Sequence, residues 1–292
     1  MEATRNQRTI AAPAAVAGVG YWSGRDVRVE FRPAPADSGI VFVRADLEGL
    51  PRIPATVEHR FEIPRRTSLR CGEASVEMVE HIMAALHGLQ IDNCELWVNE
   101  PEMPGCDGSS LPFVEALQSV GMVEQNAPRR RLVIRDVIRV GDEKSWIEAG
   151  PCFSGKLVLR YGLDYGGGVI GRQSLEISLS SRHFRLNLAP SRTFLLEAEA
   201  DALKAMGLGR QASPKDLLVF DAHGPIDNQL RFPDECVRHK MVDLVGDLAM
   251  AGCDLIGRFT AYRSGHRLNA ELVRAIVAQD SACQTTKLKH CA

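Results

Sequence analysis

Apolar positions alternate with charged ones in "DVRVEF" (26–31), where Val27, Val29 and Phe31 recur every second residue. A period of two predicts a strand with one buried face. "GIVFV" (39–43), "NCELWV" (93–98), "LVIRDVIRV" (132–140), "KLVLRY" (156–161), "SLEISLS" (174–180), "FRLNL" (184–188), "DLLVF" (216–220) and "LIGRFTAY" (255–262) predict further strands. A helix is predicted around Met78–Gly88, capped by Ser75 and closed by Gly88. Others are predicted at "PFVEALQSV" (112–120), stopped by Gly121, and at "LEAEADALKAM" (196–206). "PDECVRHKMVDLVGDLAMA" (233–251), ended by Gly252, and "NAELVRAIVAQ" (269–279) complete the helices. "PEMPGCDGSS" (101–110) reads as a loop, and "KLKHCA" as a frayed tail. The polar "QNAPRRRL" (125–132) reads as a solvated linker and divides the chain into units 1–127 and 128–292. Each half runs strands first and helices near its end, which is α+β rather than alternating βαβ. The two halves share an element order without a sequence repeat.

Two of the apolar helices carry groups that do not belong in a core. Glu80 and His81 sit beside Ile82, Met83, Ala84, Ala85 and Leu86. His239, Asp243 and Asp247 follow one another at i, i+4 and i+8 and so share a face of an otherwise apolar helix. Burying an acid or an imidazole costs free energy unless it is paired. A shared metal ion would satisfy both helices, since zinc takes neutral imidazole and carboxylate oxygen and a catalytic site uses three protein ligands. His81, His239 and Asp243 would supply them. Glu80, adjacent to a ligand, is then placed to act as a base. A helical ion pair between His239 and Asp243 would produce the same spacing. His266, in the Gly-containing turn of "YRSGHRLN" (262–269), reads as a turn histidine or as one presented to a cleft. Thr193 and Phe194 lie in "APSRTF" (189–194), read as the end of a strand.

Composition narrows the function classes. Among 292 residues the net charge is −2, so no basic excess points to nucleic acid or an anionic membrane. Eight cysteines occur without a Cys-x-x-Cys pair, which argues against a thiolate zinc knuckle or a disulfide framework and fits a reducing compartment. The Ala/Pro/Gly-rich N-terminus lacks a signal-peptide core, and no run of about 18 apolar residues exists. A soluble, cytoplasmic protein is expected.

Taken together, "VEHIMAALHGLQIDN", "PEMPGCDGSSLPFVEAL", "SRTF", "LRFPDECVRHKMVDLVGDL" and "YRSGHRLN" resemble the UDP-3-O-acyl-N-acetylglucosamine deacetylases, zinc amidases of lipid A biosynthesis. The N-terminal "RTIAAPAAVAGVGYWSGRDVRVEFRPAPADSGIVFVRADL" is similar to that family's opening, and the resemblance runs from about Arg8 to about Ala278. It implies His81, His239 and Asp243 as ligands of one zinc ion, or ferrous iron, with Glu80 as general base. It further implies His266 as general acid or stabiliser of the tetrahedral intermediate, Asp247 as its carboxylate partner and Thr193 as an oxyanion donor. Lys240 would contact the charged part of the substrate and Phe194 would line the sugar site. The implied fold is two similar α+β domains, each a sheet with helices on one face, packed as a sandwich with the helices between the sheets. A β-α-β insert near 195–222 would form an apolar passage for the acyl chain. The implied substrate is an acylated UDP-sugar, and the protein is expected to be a monomer from a Gram-negative-type bacterium, with no nucleic-acid partner and no stable membrane insertion.

The sequence departs from the family pattern at Tyr21-Trp22, where Leu-His is usual, and at Arg66, where a cysteine is frequent. Gly105-Cys106 replaces a common Ile-Met, and "RQASPKDLLVF" (210–220) differs within the insert. Two alternatives stand beside the deacetylase reading. One is a zinc amidase of the same scaffold acting on a different N-acetylated nucleotide sugar. The other is a non-enzymatic acyl-sugar or metal-binding protein, which would need neither Glu80 nor His266.

Overall fold

The strands pair in an order that accounts for the likeness of the two halves. The computed structural model describes residues 4–209, 213 and 216–290, with side chains described up to residue 280. The first half contains β1 (Asn6–Ile10), β2 (Ala14–Val19), β3 (Asp26–Pro33), β4 (Ile40–Arg44), β5 (Arg52–Pro54), β6 (Arg60–Ile63), β7 (Arg66–Cys71) and β8 (Ala74–Glu77). Helix α1 (Glu80–Gly88), β9 (Cys94–Val98), α2 (Leu111–Val120) and β10 (Met122–Pro128) follow. The second half contains β11 (Arg131–Val133), β12 (Ile138–Gly141), β13 (Trp146–Gly150), β14 (Leu157–Asp164), β15 (Arg172–Ser178) and the single turn α3 (Ser181–His183). Then come β16 (Phe194–Leu196), α4 (Glu197–Ala205), β17 (Leu218–Phe220), α5 (Glu235–Ala249), β18 (Asp254–Tyr262) and α6 (His266–His290).

The main sheets have the orders β2-β3-β9-β4-β5 and β12-β13-β18-β14-β15, the latter with β11 added to β18. The orientations also match. β9 and β18 run antiparallel to β3 and β13 and parallel to β4 and β14. A parallel pair requires a long crossover, and each crossover ends in the helix, α1 or α5, that precedes the central strand. One topology is thus built twice from unlike sequences.

These helices meet between the sheets. α1 packs along α5, α5 also against α6 and β14, and α6 against β12 and β13. One continuous hydrophobic cluster joins Phe31, Phe42 and Leu96 of the first sheet to Leu159 and Phe259 of the second. Covered on every side, α1 buries Ile82, Met83, Ala84, Ala85 and Leu86, each large side chain contributing about 1.5–3 kcal/mol. The result is the expected sandwich of two α+β units.

Several local expectations give way to tertiary contacts. Ser75 lies within β8 and caps nothing; Met78, with a left-handed φ of 58°, turns the chain directly into α1. Gly88 is the last helical residue, and a Cβ there would lie 2.2 Å from the Phe184 ring, so close packing rather than a left-handed cap requires it. "FRLNL" forms a π-helical turn (Phe184–Leu188) in place of a strand, because its buried pair Phe184 and Leu188 is spaced by four while Leu186 is exposed. "LVIRDVIRV" divides into β11 and β12 as the chain leaves β18 and crosses to the sheet's edge through exposed residues 135–137.

The supposed linker is mostly strand. β10 pairs with β1 as far as Pro128, and β11 begins at Arg131. Arg129 of its basic run is pinned, pairing as Arg5 does with Asp92 of the first unit and Asp254 of the second, while Arg130 is exposed and pairs with Asp280. "APSRTF" leads into β16 instead of ending a strand. α6 begins at His266 and its backbone remains helical to His290, taking in "KLKH"; the final Cys291 and Ala292 lie outside the described residues, as do 210–212 and 214–215 of the insert. The antiparallel β6-β7-β8 sheet, β1, β2 and β13 were not predicted.

The closest approach in the helical layer is at Gly246 of α5, where an added Cβ would fall 2.1 Å from the carbonyl oxygen of Glu80. Backbone cannot yield as a side chain can, so Gly246→Ala is expected to destabilise the fold by about 1–3 kcal/mol or more. Urea unfolding of the variant beside the parent measures this directly.

Candidate metal centre and catalytic cleft

The α1–α5 contact places Glu80 and His81, in the first turn of α1, opposite the polar stripe of α5. His81 Nε2 and His239 Nε2 lie 3.5 Å and 3.4 Å from Asp243 Oδ1. The donor atoms of all three residues fall within 4.8 Å of one another, and all three side chains are buried. Hydrogen bonds in this set would be shorter, near 2.7–3.0 Å. Separations of 3.4–3.5 Å match the edge of a tetrahedron with metal–ligand bonds of about 2.0–2.1 Å. The donor set, two imidazoles and a carboxylate, is that of a single zinc-type divalent site.

Surrounding contacts orient these ligands. His239 Nδ1 lies 3.1 Å from the Ser191 carbonyl, which makes Nδ1 the protonated nitrogen and leaves Nε2 free to coordinate. Burial lowers the His239 pKa to about 3, outweighing the pull of Asp243, so the ring is neutral as a ligand must be. Asp243 is held well below the usual carboxylate range: burial opposes this, but His239 and Lys240 prevail. Lys240 Nζ donates to Asp243 Oδ2 at 2.9 Å and remains charged. The loop carrying Ser191 and Thr193 is anchored by a buried pair, Arg192 with Glu235 at 2.9 Å.

A second set of polar groups abuts the first. Glu80 Oε2 accepts the backbone N–H of Thr67 at 2.9 Å, while Oε1 lies 4.0 Å from His266 Nε2. Burial raises the Glu80 pKa, against the opposing pull of His266 and His81. Asp247, wholly buried, accepts from Thr67 Oγ1 (2.6 Å), Asn269 Nδ2 (2.8 Å) and His266 Nδ1 (3.0 Å). Burial alone would lower the His266 pKa, but Asp247 and Glu80 raise it to about 9. An acid adjacent to a cationic imidazole, both beside a metal site, is an arrangement suited to moving protons at a carbonyl.

A cavity of about 520 Å³ reaches both sets through Lys240 and His266; its lining includes these two with Thr193 and Phe194 at one part and Leu203 and Leu217 of the β16-α4-β17 unit at another. The Phe194 ring stands edge-on to His239, with centroids 6.3 Å apart. Of the nine residues singled out from the sequence, Thr193, Phe194, Lys240 and His266 line this cleft; Asp243 lies behind Lys240, His239 behind Phe194, and Glu80 and Asp247 behind His266. Sequence reasoning missed Thr67 and Asn269. Asn269 had a faint signal, a polar side chain three residues beyond His266 at the start of a helix. Thr67 had none, because its partner Asp247 lies 180 residues away.

His266 yields a pH dependence in the metal-free protein. Its pKa is about 9 in the fold against 6.5 ordinarily, so its stabilising contribution is complete below pH 6.5 and lost as pH rises through 9. Urea midpoints should fall across that window, and Asp247→Asn should flatten the fall. Metal analysis after zinc loading should find one ion per chain in the parent and a large loss in His239→Ala.

A profile of the UDP-3-O-acyl N-acetylglycosamine deacetylases matches residues 7–278. The chain is 39% identical to a UDP-3-O-acyl-N-acetylglucosamine deacetylase of Anaeromyxobacter dehalogenans, with 98% of this chain and 92% of the relative covered. It is 40% identical to the protein of that name from Thermosynechococcus vestitus and 41% identical to that of Phenylobacterium zucineum, in each case over 94% of both chains. With the metal triad and cleft in place, the chain belongs to the UDP-3-O-acyl N-acetylglycosamine deacetylase family.

Proposed function

We propose that the protein hydrolyses the N-acetyl group of UDP-3-O-[(3R)-3-hydroxyacyl]-N-acetylglucosamine, releasing acetate in an early step of lipid A biosynthesis. One observation carries this reading: the His81, His239 and Asp243 triad, the Glu80–His266 pair and the largely apolar cavity adjoin one another. Zinc bound by the triad would polarise the acetamide carbonyl and lower the pKa of water to about 7.

Glu80, its pKa raised by burial, takes the proton of the attacking water. Thr193 and the cationic His266 donate to the oxygen that gains charge, a kind of interaction worth about 3–4 kcal/mol per donor in other enzymes. The departing amine receives its proton from His266 or from Glu80, now protonated. Asp247 keeps His266 cationic and fixes the orientation of its ring. Lys240, with Arg172 and Arg263, lines a polar recess suited to the negatively charged diphosphate, and Phe194 lines the sugar site.

The same reading divides the chain at 127/128, with an insert near 195–222 whose two parallel strands pair with each other. It takes the protein to be a cytoplasmic monomer of a Gram-negative-type bacterium. Cys71, Cys94, Cys106, Cys152, Cys236 and Cys253 are unpaired thiols, as suits a reducing compartment. No helix among the described residues is long and apolar enough to cross a membrane.

Acetate release from the 3-O-acylated nucleotide sugar, measured beside the unacylated one, tests the reading. Activity should require metal and favour the acylated substrate. Glu80→Gln and His266→Gln should each lower kcat by about 10²–10⁴ with metal content unchanged. Equal turnover of the unacylated sugar would assign the protein to another N-acetylated substrate.

A further inference from the structure

Three of the departures from the family pattern come together at one wall of the cavity. The turn between β2 and β3 is clamped by Glu102, whose buried carboxylate accepts the backbone N–H groups of Trp22 (2.7 Å) and Ser23 (2.8 Å). The clamp needs Gly20, where a Cβ would meet Glu102 Oε2 at 2.4 Å. From this turn Tyr21 reaches across to the insert, donating its phenol to the carbonyls of Asp216 (2.9 Å) and Cys106 (3.2 Å). Its ring lies against Gly105, where a Cβ would fall 2.4 Å from Cε1, so this aromatic is accommodated because position 105 has no side chain. The ring also packs on the small apolar cluster of Ala200, Leu217 and Val219. Beside it the Arg66 guanidinium, ion-paired with Glu77 at 2.8 Å, lies over the Trp22 ring at 4.5 Å. Tyr21 and Trp22 both line the cavity that holds Leu203 and Leu217.

We infer that Tyr21 determines specificity in this protein, its ring limiting the length of acyl chain that the passage beside the insert accepts. The inference rests on the deacetylase reading above. The ring is held in the wall by the Glu102 clamp on its own turn and by its packing on Gly105 and on Ala200, Leu217 and Val219, contacts that do not need the phenol oxygen. A chain with methylenes that cannot enter leaves them in water, and each buried methylene is worth about fourfold in binding. Trimming the ring while keeping an apolar surface should admit more of the chain.

The experiment is a chain-length series of 3-O-acylated nucleotide sugars assayed with parent, Tyr21→Leu and Tyr21→Phe. Tyr21→Leu should raise kcat/KM for chains beyond the parent's optimum by about fourfold per methylene admitted, relative to the optimum itself, with the change carried by KM. Tyr21→Phe keeps the ring and should retain the parent's length preference. Zinc content should be the same in all three. An unchanged profile in Tyr21→Leu, or a shift in Tyr21→Phe as large as that in Tyr21→Leu, overturns the inference and leaves the deacetylase reading intact. Absence of turnover by the parent on every chain length overturns that reading instead.

Discussion

The close contact of α1 with α5 is the constraint on which the rest of the molecule depends. Two helices can bring their backbones together only where a side chain is missing, and Gly246 provides that place against the carbonyl of Glu80. The contact sets the first turn of α1 over the middle of α5. From there one pair of adjacent residues serves two purposes: His81 meets His239 and Asp243, and Glu80 meets the hydrogen-bonded group around Asp247. The two sheets, of matching topology, press the helices together from either side.

Such a layer would ordinarily exclude charge. Here Glu80, Asp243 and Asp247 are all buried, and each has a defined partner. Asp243 is balanced by Lys240 and faces both imidazoles; Asp247 is balanced by His266 and receives hydrogen bonds from Thr67 and Asn269. Buried charges persist when paired and hydrogen-bonded, and they separate pKa values that would otherwise lie close together. His239 and His266, histidines with the same ordinary pKa, are driven to about 3 and about 9 by their surroundings. One is thereby a neutral ligand and the other a cation at neutral pH.

The outer wall of the cleft follows a different logic. The three residues of the metal triad come from helices, whose rigidity fixes donor positions. The wall opposite the insert comes from a turn, held by a carboxylate on its backbone and by a phenol on a distant carbonyl. Tyr21 and Gly105 are complementary in volume, a large side chain placed against the absence of one. Turns tolerate such exchanges better than the helical layer does, because their contacts with the core are fewer.

Local periodicity was enough to reveal α1, α5, the strands β3, β9 and β18, the α+β order and the polar stripe of His239, Asp243 and Asp247, since each depends on residues within about two turns of one another. It revealed that Glu80 and His81 were out of place in a core and pointed to a metal shared with His239 and Asp243, a ligand set the resemblance also implied. Only the tertiary structure decided what is made between distant segments. Phe184 and Leu188 became a π-helical turn because Gly88 left room for the Phe184 ring, and "QNAPRRRL" became strand because β1 was free to pair with it. Thr67 joined Glu80 and Asp247 only once β7 had been laid beside both helices. The physical reason is range. Helical and strand spacing is set by neighbouring dihedral angles, whereas ligand geometry, hydrogen-bond networks and shifted pKa values arise from groups far apart in the chain that packing alone brings within a few ångströms.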